Sequence, residues 1–278
     1  MTKLIRPHVS LTVDVESYGS DDEYHFAAIL DELLEELDVR GIKATFFVNG
    51  CVLPRWREKI TELHKAGHFI GSHGWDHIAL VKLGPERSKI DIERSYYEIS
   101  SLIDDSLIGY RAPYFSLTEQ TPWASDMVLE AGFAYSSSVL PGKNPQYAFP
   151  GAPLIPFKWP NGLPEFPVPV MSILGYTIPA IGGGYLRILP KPLINSFLFN
   201  RSDCNDLWTY CHPYDFSGTI HMPVTPNLIM KRVIKMRRKL MMPRILDIVS
   251  RSASSMQELV NNAEYMNSLE FFSNKKVG

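Results

Sequence analysis

The stretch HVSLTVDV, residues 8–15, is short, rich in β-branched residues and carries an acid near its end. A brief apolar run of this kind, bounded by polar segments, reads as a buried strand, here ending at Asp14. DDEYHFAAILDELLEELDVRG (21–41) follows, with acids at its start, apolar residues three and four apart and Gly41 as a stop. That is the pattern of a helix. The alternation continues with strands in IKATFFVNG (42–50), HFIGSH (68–73), LIGYRAP (107–113) and FAYSSS (133–138). Helices are expected between them in PRWREKITELHKAG (54–67), PERSKIDIERSYYEISSLIDD (85–105) and TPWASDMVLEAG (121–132). Strands separated by helices run parallel through right-handed crossovers, and five units by Ser138 indicate an α/β barrel or doubly wound sheet. From Pro141 to Pro190 helical periodicity gives way to dense Pro and Gly, read as long loops with short strands. DLWTYCH (206–212) resumes as a strand, and residues 224–265 return to helix.

The 278 residues suit one domain with a substantial core. A hydrophobic fraction of 45%, a charged fraction of 21% and a net charge of −2 are ordinary for a soluble protein and exert no general pull on nucleic acid. Cys51, Cys204 and Cys211 suggest no disulfide framework, and no signal peptide or membrane span is apparent. A cytoplasmic protein is the expectation.

In parallel α/β folds active sites collect at the carboxyl ends of strands. Those ends carry Asp14 and Glu16, then His73 with His77 just beyond, then Arg111, Pro113 and Tyr114, and last His212. Each alone has a plain structural reading: a helix cap, a surface histidine pair, a surface ion pair, a core histidine. Together they point to a metal site, because two histidines and a carboxylate form a common catalytic zinc set with a coordination position left open.

The ordered motifs TVDVES, SHGWDH, RAPY and TYCH resemble those of the polysaccharide deacetylases (NodB homology domain, carbohydrate esterase family 4). GYRAPYFSLT, YSSSV, EFPV, GGGYLRILP and HPYDF resemble the exosortase-associated, surface-polysaccharide branch. The resemblance implies one domain over 1–278: a distorted (β/α)7 barrel, its catalytic core at about 9–216 and a helical extension at about 224–265. It implies that His73 and His77 are metal ligands, that Asp14 is the general base and that Arg111 holds it. It also implies that the Tyr114 N–H completes an oxyanion hole and that His212 is the general acid. Val15 stands where the family has a second aspartate, so Glu16 becomes the third ligand, and Gly74 stands where Ser or Thr is usual. The family's tryptophan-bearing motif has no obvious counterpart, and Glu165 is the nearest candidate to orient Arg111 or His212 or to meet substrate.

The implied activity is removal of an N-acetyl group from an amino sugar during surface-polysaccharide assembly. Zinc is the default metal, with Co, Ni, Fe and Mn as alternatives. The expected partner is an N-acetylated sugar, with nucleotide, lipid-carrier and polymer linkage all left open by the sequence. A deformylase or cyclic-amide hydrolase, and a silent glycan-binding relative, are the rival readings. Tyr185 and Arg187 are candidate sugar contacts beside a tight glycine turn at 182–184, where no strand-to-helix context is expected. Trp75, Trp159, Tyr185 and Tyr214 are candidates for a stacking wall, most of them with a core role. The basic, apolar stretch 228–246 is either a packed terminal helix or a contact with an anionic membrane surface, which would place the protein at the membrane's inner face.

Overall fold

The computed structural model describes residues 7–16, 23–103, 108–145, 147–200, 206–216, 240–250 and 253–273. Strand β1 (His8–Val15) leads into helix α1 (Glu23–Arg40), β2 (Ala44–Val48), α2 (Leu53–Lys65), β3 (Phe69–Ser72) and α3 (Leu80–Ser100). Then come β4 (Gly109–Tyr110), α4 (Ala124–Glu130), β5 (Tyr135–Ser136), β6 (Phe157–Lys158) and β7 (Pro164–Glu165). The hairpin β8 (Val170–Ile173) and β9 (Tyr176–Pro179), helices α5 (Gly183–Ile188) and α6 (Lys191–Phe199), and β10 (Asp206–Cys211) follow. Helices α7 (Met241–Ile248), α8 (Met256–Asn261) and α9 (Ala263–Ser268) close the described chain.

Eight strands form one sheet in the order β10-β1-β2-β3-β4-β5-β7-β6, parallel throughout except for the β6–β7 pair. The sheet curls as a half-barrel with β10 and β6 at its edges. β4 and β5 are shorter than the apolar runs suggest because amides just beyond them bond to side chains: Ala112 N–H donates to the Ser138 hydroxyl, and Ser138 N–H to the Glu165 carboxylate.

Period-two alternation along β1 sorts its residues onto two faces. Val9, Leu11, Val13 and Val15 join the larger core with Phe46, Leu30, Leu33 and Ile60 under the helices. Ser10, Thr12 and Asp14 alternate with them, and Asp14 stands in register with Phe47 of the second, aromatic-rich core that includes Tyr135, Phe166 and Trp208. Glycine makes room on that face: a Cβ on Gly71 would lie 2.7 Å from the Phe47 ring, and one on Gly109 would lie 2.1 Å from Tyr135. The polar end of β1 is therefore walled by aromatic rings.

His68, buried between β2 and β3, accepts the Ala44 N–H on Nδ1 and stands edge-on to Phe46. Burial, assisted by Lys43, pushes its imidazole down to about 4. The unfolded chain takes up this proton near pH 6.5, so stability is expected to fall as pH drops from about 6.5 toward 4, by up to a few kcal/mol. Urea unfolding across that window should show the slope in wild type and lose it in His68→Gln.

Most of the basic stretch 228–246 lies outside the described residues. Arg244 within it turns inward and donates to the carbonyls of Leu186, Arg187 and Leu189 at 2.5, 3.0 and 3.0 Å. Among the described residues no helix is long and apolar enough to cross a membrane.

Candidate active site

His73 and His77 lie on the loop between β3 and α3, not on a helix. That loop is held from both sides. The Asn49 amide donates toward the carbonyls of His73 and Gly74, and the Gly50 and Cys51 N–H groups donate to the carbonyls of Gly74 and Trp75. From α3 the Asp91 carboxylate accepts the N–H groups of Trp75 and Asp76 at 2.9 and 3.0 Å. Gly74 has φ +72°, and a Cβ there would lie 3.0 Å from Asp91 Oδ1 and 3.2 Å from Pro113. The missing hydroxyl is thus a consequence of backbone conformation and packing.

His73 Nδ1 lies 2.9 Å from Arg111 O, which can only accept, so the proton sits on Nδ1 and the Nε2 lone pair faces the site. Glu16 Oε1 is 3.5 Å from His73 Nε2, 3.0 Å from His77 Nε2 and 3.5 Å from His212 Nε2. Tetrahedral ligands at about 2.1 Å from a zinc-sized ion stand about 3.4 Å apart, close to the spacings Glu16 keeps with the two ligand histidines. His77 Nε2 is buried and makes no hydrogen bond among the described residues despite its closeness to Glu16, as expected of co-ligands rather than of a donor–acceptor pair. Glu16, His73 and His77 thus fit a divalent metal. Burial pushes the Glu16 carboxyl up, but the facing His77, His212 and His73 outweigh it and hold it well below the usual carboxylate range.

Asp14 is 2% exposed and Arg111 is fully buried. Arg111 donates to Asp14 Oδ1 at 2.5 Å, to Thr12 Oγ1 at 2.8 Å and to Ser137 Oγ at 3.1 Å. Its guanidinium carbon lies 4.0 Å from the Phe47 ring centroid and 4.4 Å from that of Trp208. Burial lowers the guanidinium's hold on its proton and Asp14 opposes this, so the pair is a carboxylate fixed by a cation under an aromatic roof. Positive φ in residues other than glycine gathers here: His77 at 55°, Tyr114 at 59° and Phe115 at 52°. Such strain concentrates at functional sites. The Tyr114 N–H finds no acceptor among the described residues, and its ring lies 4.7 Å from that of His77.

His212 follows β10. Its Nδ1 lies 3.3 Å from Asp215 Oδ2, which also accepts the His212 N–H at 2.8 Å. Arg187 donates to the other oxygen of Asp215. Arg187 is 1% exposed, so it is no sugar contact; it backs the carboxylate that orients His212. Glu165 is also fully buried. It accepts N–H bonds from Ser138 and Val139 on one oxygen and the Trp159 indole N–H on the other, and burial pushes its carboxyl up despite them. It ties β7 to the strand end at Ser138, and among the described residues it makes no hydrogen bond to Arg111 or His212. Tyr185 is half-buried against the main core. Gly182 and Gly183 lie under the Tyr210 ring, where a Cβ on Gly182 would come within 2.1 Å, and Gly183 opens α5 after β9. The glycine run therefore has a strand-to-helix setting, contrary to expectation. Trp75 and Trp159 are buried, while Tyr214 stacks on His212 with centroids 4.6 Å apart.

Sequence reasoning missed Asp91, Ser137 and Asp215. Asp215 was within reach, since an acid three residues beyond a strand-end histidine can close a turn on it. Asp215→Asn is expected to lower kcat about a hundredfold with little change in KM, because His212 loses its orienting carboxylate. Steady-state kinetics on an acetylated oligosaccharide check this; a wild-type kcat would show that His212 is held without Asp215.

Residues 3–133 match the family model described as polysaccharide deacetylase, and residues 137–267 match one described as a domain of unknown function (DUF3473). A chitin deacetylase of Pestalotiopsis sp is 33% identical over 92 residues, covering 32% of this chain and 31% of that protein. A chitin deacetylase of Arthroderma benhamiae is 28% identical over 137 residues, covering 47% and 36%. The chain spans about a third of the length of these curated relatives. A solved structure from Mycobacterium smegmatis, described as a polysaccharide deacetylase, aligns over 96% of this chain and 93% of its own with a TM-score of 0.57 at 19% identity. Residues 3–133 thus carry the sequence pattern of the polysaccharide deacetylase family, and the chain as a whole shares the fold of that solved structure.

Proposed function

We propose that the chain is a metal-dependent hydrolase that removes N-acetyl groups from amino sugars of a bacterial surface polysaccharide. The observation that carries this reading is the Glu16, His73 and His77 cluster set beside the buried Asp14–Arg111 pair. The two matched chitin deacetylases support the reaction class. Zinc is the default ion, as the donor set of two nitrogens and a carboxylate suits it.

An amide carbonyl resists water at neutral pH, so a nucleophile must be made and an oxyanion stabilised. When bound, a divalent ion would supply Lewis acidity toward the carbonyl and the attacking water. Asp14 accepts the proton released as water attacks, and Arg111 holds that carboxylate aimed. The unpartnered Tyr114 N–H donates to the developing oxyanion. His212, with Nδ1 committed to Asp215, delivers a proton from Nε2 to the departing amine. Acetate and a free amino sugar result.

Assembly on a nucleotide- or lipid-linked precursor at the inner face of the membrane is part of the proposal. The test incubates the metal-analysed protein with N-acetylated oligosaccharides and separately with a formamido sugar. Acetate release with about one equivalent of metal supports the reading. Formate alone moves the substrate class to formamido sugars, and a protein that binds glycan without metal or product is a silent relative.

A further inference from the structure

Two donors of the candidate metal cluster, His73 and His77, stand at the ends of a segment that is neither helix nor strand. We propose that Asp91, a buried acid of α3 and itself no ligand, is the positioning residue for this segment and thereby sets the cluster's affinity for its ion; the inference rests on the metal-dependent reading above.

Three observations carry it. The first is where the bonds of Asp91 fall. Its Oδ1 accepts the Trp75 N–H at 2.9 Å and its Oδ2 the Asp76 N–H at 3.0 Å, the two amides immediately before His77. Because both oxygens are engaged, the carboxylate fixes the direction of the segment as well as its distance from α3. His77 has φ 55°. A residue other than glycine keeps that conformation only where its surroundings over-determine it.

The second is Gly74. At φ +72°, a Cβ there would lie 3.0 Å from Asp91 Oδ1. A side chain at position 74 and the close approach of this carboxylate therefore compete for the same space. The bracing comes from α3 instead. The Gly74 N–H donates to Ser72 Oγ at 3.2 Å, the Ser72 hydroxyl donates to Ser95 Oγ at 2.9 Å, and the Ser95 hydroxyl donates to Ile92 O at 2.9 Å. Ser95 lies one turn beyond Asp91 on the same helix face.

The third is burial. Asp91 is 7% exposed, and burial pushes its carboxyl up against the pull of the two N–H bonds. Desolvating a carboxylate is costly. A helix that had only to cover the sheet would carry an apolar residue there, as α3 does at Ile92 and Ile99. Arg94 of the same helix lays its guanidinium carbon 3.7 Å from the Trp75 ring centroid, so α3 holds the segment by backbone and by side chain.

The test strips the full chain of metal and titrates Zn2+ against a competing chelator. The proteins are wild type, Asp91→Asn, Asp91→Ala and, as a control for helix charge, Glu93→Gln on the exposed face of α3. Asn keeps one acceptor oxygen and Ala keeps none. Zinc affinity is therefore expected to fall about tenfold and about a hundredfold, the range for residues that orient metal ligands, with Glu93→Gln at the wild-type value. Activity lost at limiting zinc should return at saturating zinc. Thermal unfolding of the metal-free proteins isolates a merely structural role: a lower midpoint with unchanged zinc affinity overturns the proposal. Equal losses in Asn and Ala, which removal of charge alone would give, also overturn it. If Asp91→Ala does not fold, Asp91→Asn decides, a tenfold loss supporting the proposal and wild-type affinity overturning it. A wild type that binds zinc, with this order among the variants, but releases no acetate supports the role of Asp91 and overturns the deacetylase reading. Acetate release with wild-type zinc affinity in both Asp91 variants overturns that role and leaves the reading intact. A wild type that binds no zinc overturns both.

Discussion

His73→Ala is expected to abolish stoichiometric metal binding and to slow acetate release about a thousandfold or more. Of the three donors in the cluster, His73 is the most firmly oriented, because its Nδ1 is committed to Arg111 O inside a buried wall. Its loss leaves only Glu16 and His77, too few to hold a catalytic ion. A metal's Lewis acidity is worth several kcal/mol of transition-state stabilisation, and each 1.36 kcal/mol is a tenfold change in rate. The substitution also strips a donor from a buried carbonyl at a cost of about 1–3 kcal/mol, so thermal unfolding must accompany the assay. Elemental analysis is then made on the folded variant. Wild-type metal content together with wild-type rate would remove the cluster from the mechanism.

Arg111→Met should be the most destabilising single change at the site, costing about 3–5 kcal/mol. It leaves the buried Asp14 carboxylate without its cation, and an uncompensated buried charge carries a penalty of that size. For a chain of this length the loss corresponds to a drop of about 10 °C in Tm. Asp14→Asn alone removes the charge but keeps the shape; it should cost the protein less stability and the reaction about a hundredfold or more. In the double variant both buried charges are gone, so part of the stability should return while activity stays lost. Unfolding midpoints of the four proteins test this. Additive losses would mean that the ion pair does not govern the site's stability.

How much of the fold and site is legible in the sequence follows from what each residue depends on. β1, β2 and β3 are continuous apolar runs with β-branched residues, and a run of that kind carries its own strand signal. Asp14, His73, Arg111 and His212 can be singled out because a strand's carboxyl end is a defined place on a chain. Arg187 cannot be placed correctly. In a loop-rich stretch an arginine reads as exposed, and only the fold brings Asp215 against it. Glu165 fails for a similar reason: its partners are backbone N–H groups at Ser138 and Val139, which every residue type but proline possesses. β4 and β5 are overestimated because the Ser138 hydroxyl and the Glu165 carboxylate take the amides just beyond them. Glu16 comes from the resemblance, as the next carboxylate after Asp14, and its oxygen lies 3.5 Å from His73 Nε2 and 3.0 Å from His77 Nε2.

β1 is flanked by β2 on one side and by β10 on the other. The family boundary near residue 135 therefore cuts the text of the chain but not the object it folds into. His212 and Asp215 come from the second region, whereas Asp14, Glu16, His73 and His77 come from the first. Neither region owns the site. An exchange of one half between relatives would have to preserve a seam of six residue pairs from His8↔Asp206 to Val13↔Cys211, and the candidate site lies at the end of that seam.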